Sequence, residues 1–178
     1  MALTVLLGGA RSGKSRWAVR LAAEARMPVT FIATGEARDA EMADRIRRHR
    51  AERRPDWTTI EEPIKLPDAL RAVDAGRTVV VDCMTLWVAN LLEQELRDDE
   101  VRDQAEEAAD MAAAHDGDVI VVSNEVGSGI VPITALGRRY QDLLGEVNAI
   151  WVEHASRAAL VVAGRPLWLP DTSAAGPL

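Results

Sequence analysis

The chain has 178 residues, 48% of them hydrophobic, with one cysteine and a formal net charge of −7. That suits one domain burying about 70% of its unfolded surface. The acidic balance excludes global attraction to nucleic acid or an anionic membrane; the lone Cys83 excludes an intramolecular disulfide; and no apolar run approaches the ~20 residues of a membrane span.

Residues 3–7 form an apolar run predicted as the first strand. The run is short and leads straight into glycines, unlike a signal peptide, so a cytoplasmic protein is expected. Gly8, Gly9, Ala10, Arg11, Ser12, Gly13, Lys14 and Ser15 follow, a complete G-x-x-x-x-G-K-S phosphate loop. Glycines let the backbone turn its N–H groups toward an anion, and the helix predicted over 13–25 adds its positive dipole end. Lys14 reaches the β- and γ-phosphates and the Ser15 hydroxyl suits Mg²⁺, so a nucleoside triphosphate is the expected ligand.

Further strands are predicted at 29–33, 78–82, 119–123 and 160–163, with short ones near 58–60 and 167–169. Helices are predicted at 39–54, 67–75, 85–96, 99–115, 134–144 and 145–158. Apolar strands separated by helices indicate a mostly parallel sheet covered on both faces, a three-layer α/β domain over 1–169. The small, proline- and glycine-containing tail at 170–178 is expected to fray. Ligands of such sheets lie beyond the carboxyl ends of the strands. Here those ends read Ala33-Thr34-Gly35, Asp82 and Ser123-Asn124-Glu125.

Asp82 closes the run Val79-Val80-Val81, where a phosphate-loop enzyme places its second Mg²⁺ ligand opposite Ser15. A plain helix N-cap is the alternative. Residues 45–54 hold six arginines within an acidic chain. They suit phosphate recognition, or equally a solvated face paired with Glu36, Asp39, Glu41 and Asp44. Met42, Ile46, His49 and Arg53 fall on one helical stripe. His49 is then either a half-buried structural histidine or a nucleophile toward phosphorus, with arginines neutralising the developing charge. Glu61 and Glu62 suit a guanine edge or ribose hydroxyls, or are surface acids. The glycines at 127–129 allow close backbone approach or form a simple turn. His115 and His154 read as helix-end and surface residues. No metal-ligand Cys/His spacing and no Asn-Lys-x-Asp guanine motif occur.

The blocks Leu7-Gly8-Gly9-Ala10-Arg11-Ser12-Gly13-Lys14-Ser15, Ile32-Ala33-Thr34, residues 41–49, 57–61 and 82–91, Ser123-Asn124-Glu125-Val126-Gly127-Ser128-Gly129-Ile130-Val131-Pro132 and residues 145–148 and 161–167 resemble one family across nearly the whole chain. It is the bifunctional adenosylcobinamide kinase/adenosylcobinamide-phosphate guanylyltransferases of cobalamin assembly. The resemblance implies a RecA-like phosphate-loop NTPase fold. It implies phosphorylation of the aminopropanol hydroxyl of adenosylcobinamide with GTP or ATP. Transfer of GMP from GTP onto that phosphate follows, through a guanylylated histidine that matches His49, with release of pyrophosphate. Lys14 is then catalytic. Nucleotide contacts map onto residues 8–15, Ala33, Thr34, Gly35, Arg50, Ala51, Glu52, Arg53, Glu61 and Asp82, with Mg²⁺ on Ser15 and Asp82. A homotrimer is implied as well. Glu125, at a strand tip, is the candidate base for the acceptor hydroxyl. A kinase without a covalent step and a nucleic-acid-stimulated RecA-like ATPase are the competing readings; the net charge and the absence of aromatics interleaved near 45–54 count against the latter.

Overall fold

A computed structural model describes residues 2–51 and 53–171. In chain order the elements are β1 (Leu3–Leu7), α1 (Lys14–Glu24), β2 (Val29–Ala33), α2 (Ala40–Ala51), β3 (Thr58–Glu61), α3 (Leu66–Arg71), β4 (Thr78–Asp82), α4 (Met84–Glu93), α5 (Asp98–Ala114), β5 (Val119–Val122), α6 (Ala135–His154), β6 (Arg157–Val162) and β7 (Arg165–Trp168). The strands form one sheet in the order β3-β2-β4-β5-β1-β6-β7. All neighbours pair in parallel except β7, which returns antiparallel on β6. This is the expected three-layer α/β architecture.

Alternation along the strands sorts side chains into two cores. Leu3, Val5, Val79, Val81, Val119 and Val121 face α3, α4, α5 and α6. Leu6, Phe31, Val80, Ile120 and Val122 face α1 through Ala18 and Ala22. The small alanines let α1 lie close to the sheet. Five tryptophans account for most of the aromatic content. Trp87 and Trp151 are fully buried in the larger core. Trp87 Nε1 donates to Ile64 O at 2.8 Å. Trp17 and Trp168 lie under the guanidinium groups of Arg20 and Arg157, 5.0 and 5.1 Å from the ring centroids. Among the described residues no helix is long and apolar enough to cross a membrane.

Two expectations need correction. Helices predicted at 134–144 and 145–158 are one helix, α6. Gly145 reads as a break, but Leu143, Leu144, Val147, Asn148 and Trp151 form one buried stripe through it. That burial outweighs the ~1 kcal/mol helix penalty of a glycine. The helix also stops earlier than predicted, because Arg157 and Ala158 are drawn into β6 by pairing with Thr4 and Val5. Most of the tail, 172–178, lies outside the described residues.

A Cβ built on Gly145 meets nothing within 4 Å. Gly145→Ala should therefore raise stability by about 1 kcal/mol and the melting temperature by roughly 2–4 °C. Thermal denaturation checks it; no gain would mean that the helix interior is strained there.

His154 closes α6, a helix end as expected, and is anchored there. Its Nδ1 lies 2.9 Å from Ile150 O, and its Nε2 lies 3.1 Å from Asp110 and 3.5 Å from Glu106. The Ile150 carbonyl, then the two carboxylates, raise its pKa above the ordinary 6.5. A raised folded-state pKa gives stability that is complete below the unfolded value near 6.5 and is lost as pH rises through the folded value. His154→Gln should remove that slope, worth about 0.5 kcal/mol for a solvent-screened pair. Urea titrations between pH 5.5 and 8 test this; parallel profiles would refute it.

Candidate active site

β1 delivers the chain into the phosphate loop at the carboxyl edge of the sheet. Gly8 and Gly13 sit at φ +148 and +102, where side chains are strained, and a Cβ on Gly8 would lie 2.4 Å from Val161 O. Lys14 is only 6% exposed. Its ammonium donates to Gly8 O and Gly9 O, each at 2.7 Å, and to Ser12 Oγ at 3.4 Å. A charge at that depth needs such partners. The loop is braced from behind by the β6–β7 turn. Gly164 N donates to Ser12 O at 2.8 Å, and Trp17 Nε1 donates to Gly164 O at 2.8 Å. No local sequence signal links Gly164 to the loop, 150 residues away; only sheet closure brings them together.

β5 lies between β1 and β4, so Ser15 and Asp82 belong to elements about two strand spacings, roughly 10 Å, apart. α1 packs on β5 and β4 as well as β1, so the helix that Ser15 opens lies over the strands on both sides of β5. The intervening tip is tied to the loop, since Glu125 N donates to Gly8 O at 3.0 Å. It is tied to the β4 side as well, since Asn124 N donates to Thr85 Oγ1 at 2.9 Å. Tyr140 Oη donates to Thr85 O at 3.1 Å, and burial pushes its phenol pKa upward.

Thr34 joins the next pair of tips. Its hydroxyl donates to Cys83 O at 2.7 Å and accepts from Cys83 N at 2.8 Å. Thr34 is 0% exposed, so its side chain organises the edge and Gly35 is the more accessible neighbour. Asn90, a buried amide in the otherwise apolar run 86–92 of α4, donates to Thr34 O and Pro63 O and accepts from Arg38 Nη2. One polar residue in an apolar helical run was the available signal for it.

The stripe Met42, Ile46, His49 and Arg53 is half-buried, as the spacing predicts. Ile46 and Leu86 flank Gly35, where a Cβ would meet them at 3.7 and 3.1 Å. His49 Nδ1 lies 3.9 Å from Asp82 Oδ2, beyond hydrogen-bond distance. The Asp82 side chain is 12% exposed and that of His49 35%. Arg53 stacks on Phe31 with 3.7 Å from guanidinium carbon to ring centroid, and donates to Thr59 Oγ1 at 3.5 Å. Burial lowers its pKa, opposed by Asp82; Arg50 lowers it further and Glu61 raises it. Its buried Nε has no hydrogen-bond partner among the described residues. Arg50 Nη2 lies 3.5 Å from Glu61 Oε1.

The fold thus gathers His49, Asp82, Arg50, Arg53 and Glu61 on the edge that holds the phosphate loop. The arginine cluster divides between its two readings. Arg47 and Arg54 face outward onto Asp44 and Asp56, while Arg50 and Arg53 turn toward the site. Ala51 is exposed at the end of α2, and Glu52 lies outside the described residues. Other acids serve the backbone. Glu62 Oε1 accepts from Ile64 N and Lys65 N, and Glu125 Oε1 accepts from Gly127 N and Ser128 N. His115 is bound to Arg77 O at 2.9 Å, away from the site.

Comparison with known proteins adds independent findings. A family model described as cobinamide kinase / cobinamide phosphate guanyltransferase matches residues 4–169. A Pseudomonas aeruginosa protein named bifunctional adenosylcobalamin biosynthesis protein CobP is 47% identical over 166 residues, 92% of this chain and 94% of that one. The Escherichia coli bifunctional adenosylcobalamin biosynthesis protein CobU is 37% identical over 175 residues, covering 91% and 96%. Among solved structures, the RadB recombinase superposes with a TM-score of 0.52 at 18% identity, over 89% of this chain and 73% of its own. That likeness is one of fold.

Gly8→Ala places a methyl group against the Val161 carbonyl at a backbone angle that disfavours it. Triphosphate affinity should fall at least tenfold, and stability by about 1–3 kcal/mol. Isothermal titration and denaturant unfolding measure both; unchanged affinity would separate nucleotide binding from this loop.

Proposed function

Because the chain belongs to the cobinamide kinase / cobinamide phosphate guanyltransferase family of bifunctional cobalamin-biosynthesis enzymes, we propose that it phosphorylates adenosylcobinamide and then guanylylates the product through His49. The observation that carries this reading is the meeting of His49 with Asp82, at 3.9 Å, on the edge that bears the phosphate loop. A triphosphate cradle and an imidazole there serve two different phosphorus atoms.

In the kinase step the aminopropanol hydroxyl attacks the γ-phosphorus of GTP or ATP, and the diphosphate departs. Lys14 neutralises charge that builds on the β- and γ-phosphates. Glu125 Oε1 is held by two loop amides, and we assign its other oxygen to receive the hydroxyl proton. In the transferase step the lone pair of His49 Nε2 attacks the α-phosphorus of GTP. The α–β bridging bond breaks and pyrophosphate leaves with its electron pair. The attack uses the tautomer with its proton on Nδ1, the nitrogen that faces Asp82, and the lone pair on Nε2. The acceptor phosphate then attacks the same phosphorus, the P–N bond breaks, and adenosylcobinamide-GDP forms. Arg50 and Arg53 offset the charge of both displacements.

Ser15 and Asp82 are hard oxygen donors of the kind Mg²⁺ takes. Among the described residues no three His, Cys, Asp or Glu groups cluster as a metal site, so these two donors would share the cation with phosphate oxygens. When bound, Mg²⁺ neutralises triphosphate charge. The family resemblance also supports a homotrimer, which sedimentation equilibrium tests.

GTP labelled at the α-phosphate should leave label on the protein that survives alkali and is lost in acid, with release of pyrophosphate. His49→Asn should abolish the adduct and guanylyl transfer while the kinase rate stays within roughly tenfold. Lys14→Ala should cut the kinase rate by about 10²–10³-fold. Label persisting on folded His49→Asn protein would place the nucleophile elsewhere.

A further inference from the structure

β5 ends at Val122, but its ladder of hydrogen bonds runs on. Ser123 N donates to Leu6 O and Glu125 N to Gly8 O, each at 3.0 Å. The residue between them turns its N–H the other way, and Asn124 N donates to Thr85 Oγ1 at 2.9 Å. Alternate N–H groups facing opposite neighbours mark extended backbone, so the two-residue side-chain period continues through Asn124. Val121 lies in the core on the α4–α6 side, and Val122 in the core on the α1 side. Asn124 shares the face of Val122. Val122 pairs with Leu6 and with Asp82, and Leu6 and Val80 lie in the same core as Val122. That face therefore carries the phosphate loop on one side of Asn124 and Asp82 on the other.

One oxygen ties this position to the loop lysine. Gly8 O accepts from Glu125 N at 3.0 Å and from Lys14 Nζ at 2.7 Å. The peptide group that follows Asn124 thus meets the ammonium that serves the β- and γ-phosphates. The backbone of Asn124 is held from both ends. Besides the Thr85 bond, Asn148 Nδ2 donates to Asn124 O at 3.0 Å. Thr85 and Asn148 are both buried, and buried polar groups need partners. Both find theirs on this one residue. The half-buried Asn124 side chain, by contrast, has no hydrogen-bond partner among the described residues.

A fixed backbone that presents an unclaimed amide beside a lysine is the arrangement that stabilises charge developing on a transferred group. Between Lys14 and the proposed Mg²⁺ ligand Asp82, that group is the outermost phosphoryl of a nucleoside triphosphate. We propose that Asn124 is a further catalytic residue of the kinase step, its Nδ2 donating to a γ-phosphate oxygen. The acceptor hydroxyl oxygen bonds to the γ-phosphorus, the β–γ bridging bond breaks, and the diphosphate leaves with its electron pair. Asn124 makes and breaks no covalent bond; it holds the oxygen on which charge collects. It also lets the site tell a triphosphate from a diphosphate.

The first arm of the test uses nucleotides alone. Isothermal titration with Mg²⁺ compares GDP with guanosine 5′-(β,γ-imido)triphosphate on the full chain and on Asn124→Ala and Asn124→Asp. The alanine variant should bind the triphosphate analogue about tenfold more weakly and GDP nearly as before. Asn124→Asp, close in size but with a carboxylate facing the phosphate, should lose more. The second arm is the kinase assay, where kcat at saturating nucleotide should fall about 10²-fold in Asn124→Ala. Equal weakening of GDP and the analogue assigns the residue to the loop's structure and overturns the proposal, as does an unchanged kcat. Failure of both variants to fold overturns it too, because the fold itself would then need the amide. The proposal deepens the kinase reading above. If the unaltered protein phosphorylates adenosylcobinamide, these failures bear on Asn124 alone. If it does not, that reading falls, and the binding arm still decides the γ-phosphate contact.

Discussion

Burial of the sheet on both faces is the constraint from which the rest follows. Val79, Val80, Val81, Val119 and Val121 are wholly inaccessible. Neither face can host polar chemistry, because an unpaired polar group there would be costly. In the central strands β4 and β5 the residues short of the tips are buried, and parallel strands bring their carboxyl tips to one edge. Every group with a chemical role in the proposed reactions lies on that edge or on the helix leaning over it.

The edge is rigid in some places and lightly held in others. The phosphate loop is fixed by its own lysine, by Gly164 and by Glu125. The β2 and β4 tips are locked by the two-way Thr34–Cys83 bonding. α2 has a different attachment. It rests on a half-buried stripe, with no fully buried residue along its described length. Elements with few buried apolar contacts open at low cost. That suits the proposed reactions, in which the histidine of this helix would reach the α-phosphorus in one step and leave the γ-phosphorus to the acceptor in the other.

Asp82 stands where these two parts meet. It ends a buried strand, faces His49, and raises the pKa of the stacked Arg53 against the effect of burial. Helix capping, the plainer sequence reading, is not the use made of this carboxylate: the helix after it is capped by Cys83, with no side-chain hydrogen bond.

Much of this was legible in the residues. The phosphate loop is a local motif, and its strand–loop–helix context is local as well. β1, β2 and β4 follow from uninterrupted β-branched and apolar runs. The His49 stripe follows from 3.6-residue periodicity alone. Where periodicity met a glycine, as at Gly145, local propensity pointed to a break, and a buried stripe continued across it. What the sequence by itself determined is therefore whatever depends on neighbours along the chain: motif, strand, helix face. Only the tertiary structure decided which distant groups meet. It inserted β5 between the Ser15 and Asp82 sides, set Gly164 behind the loop, turned Arg53 onto Phe31 and left Arg47 in solvent. Those pairings arise from strand order and helix packing, and their partners are too far apart in the chain for any local pattern to encode them.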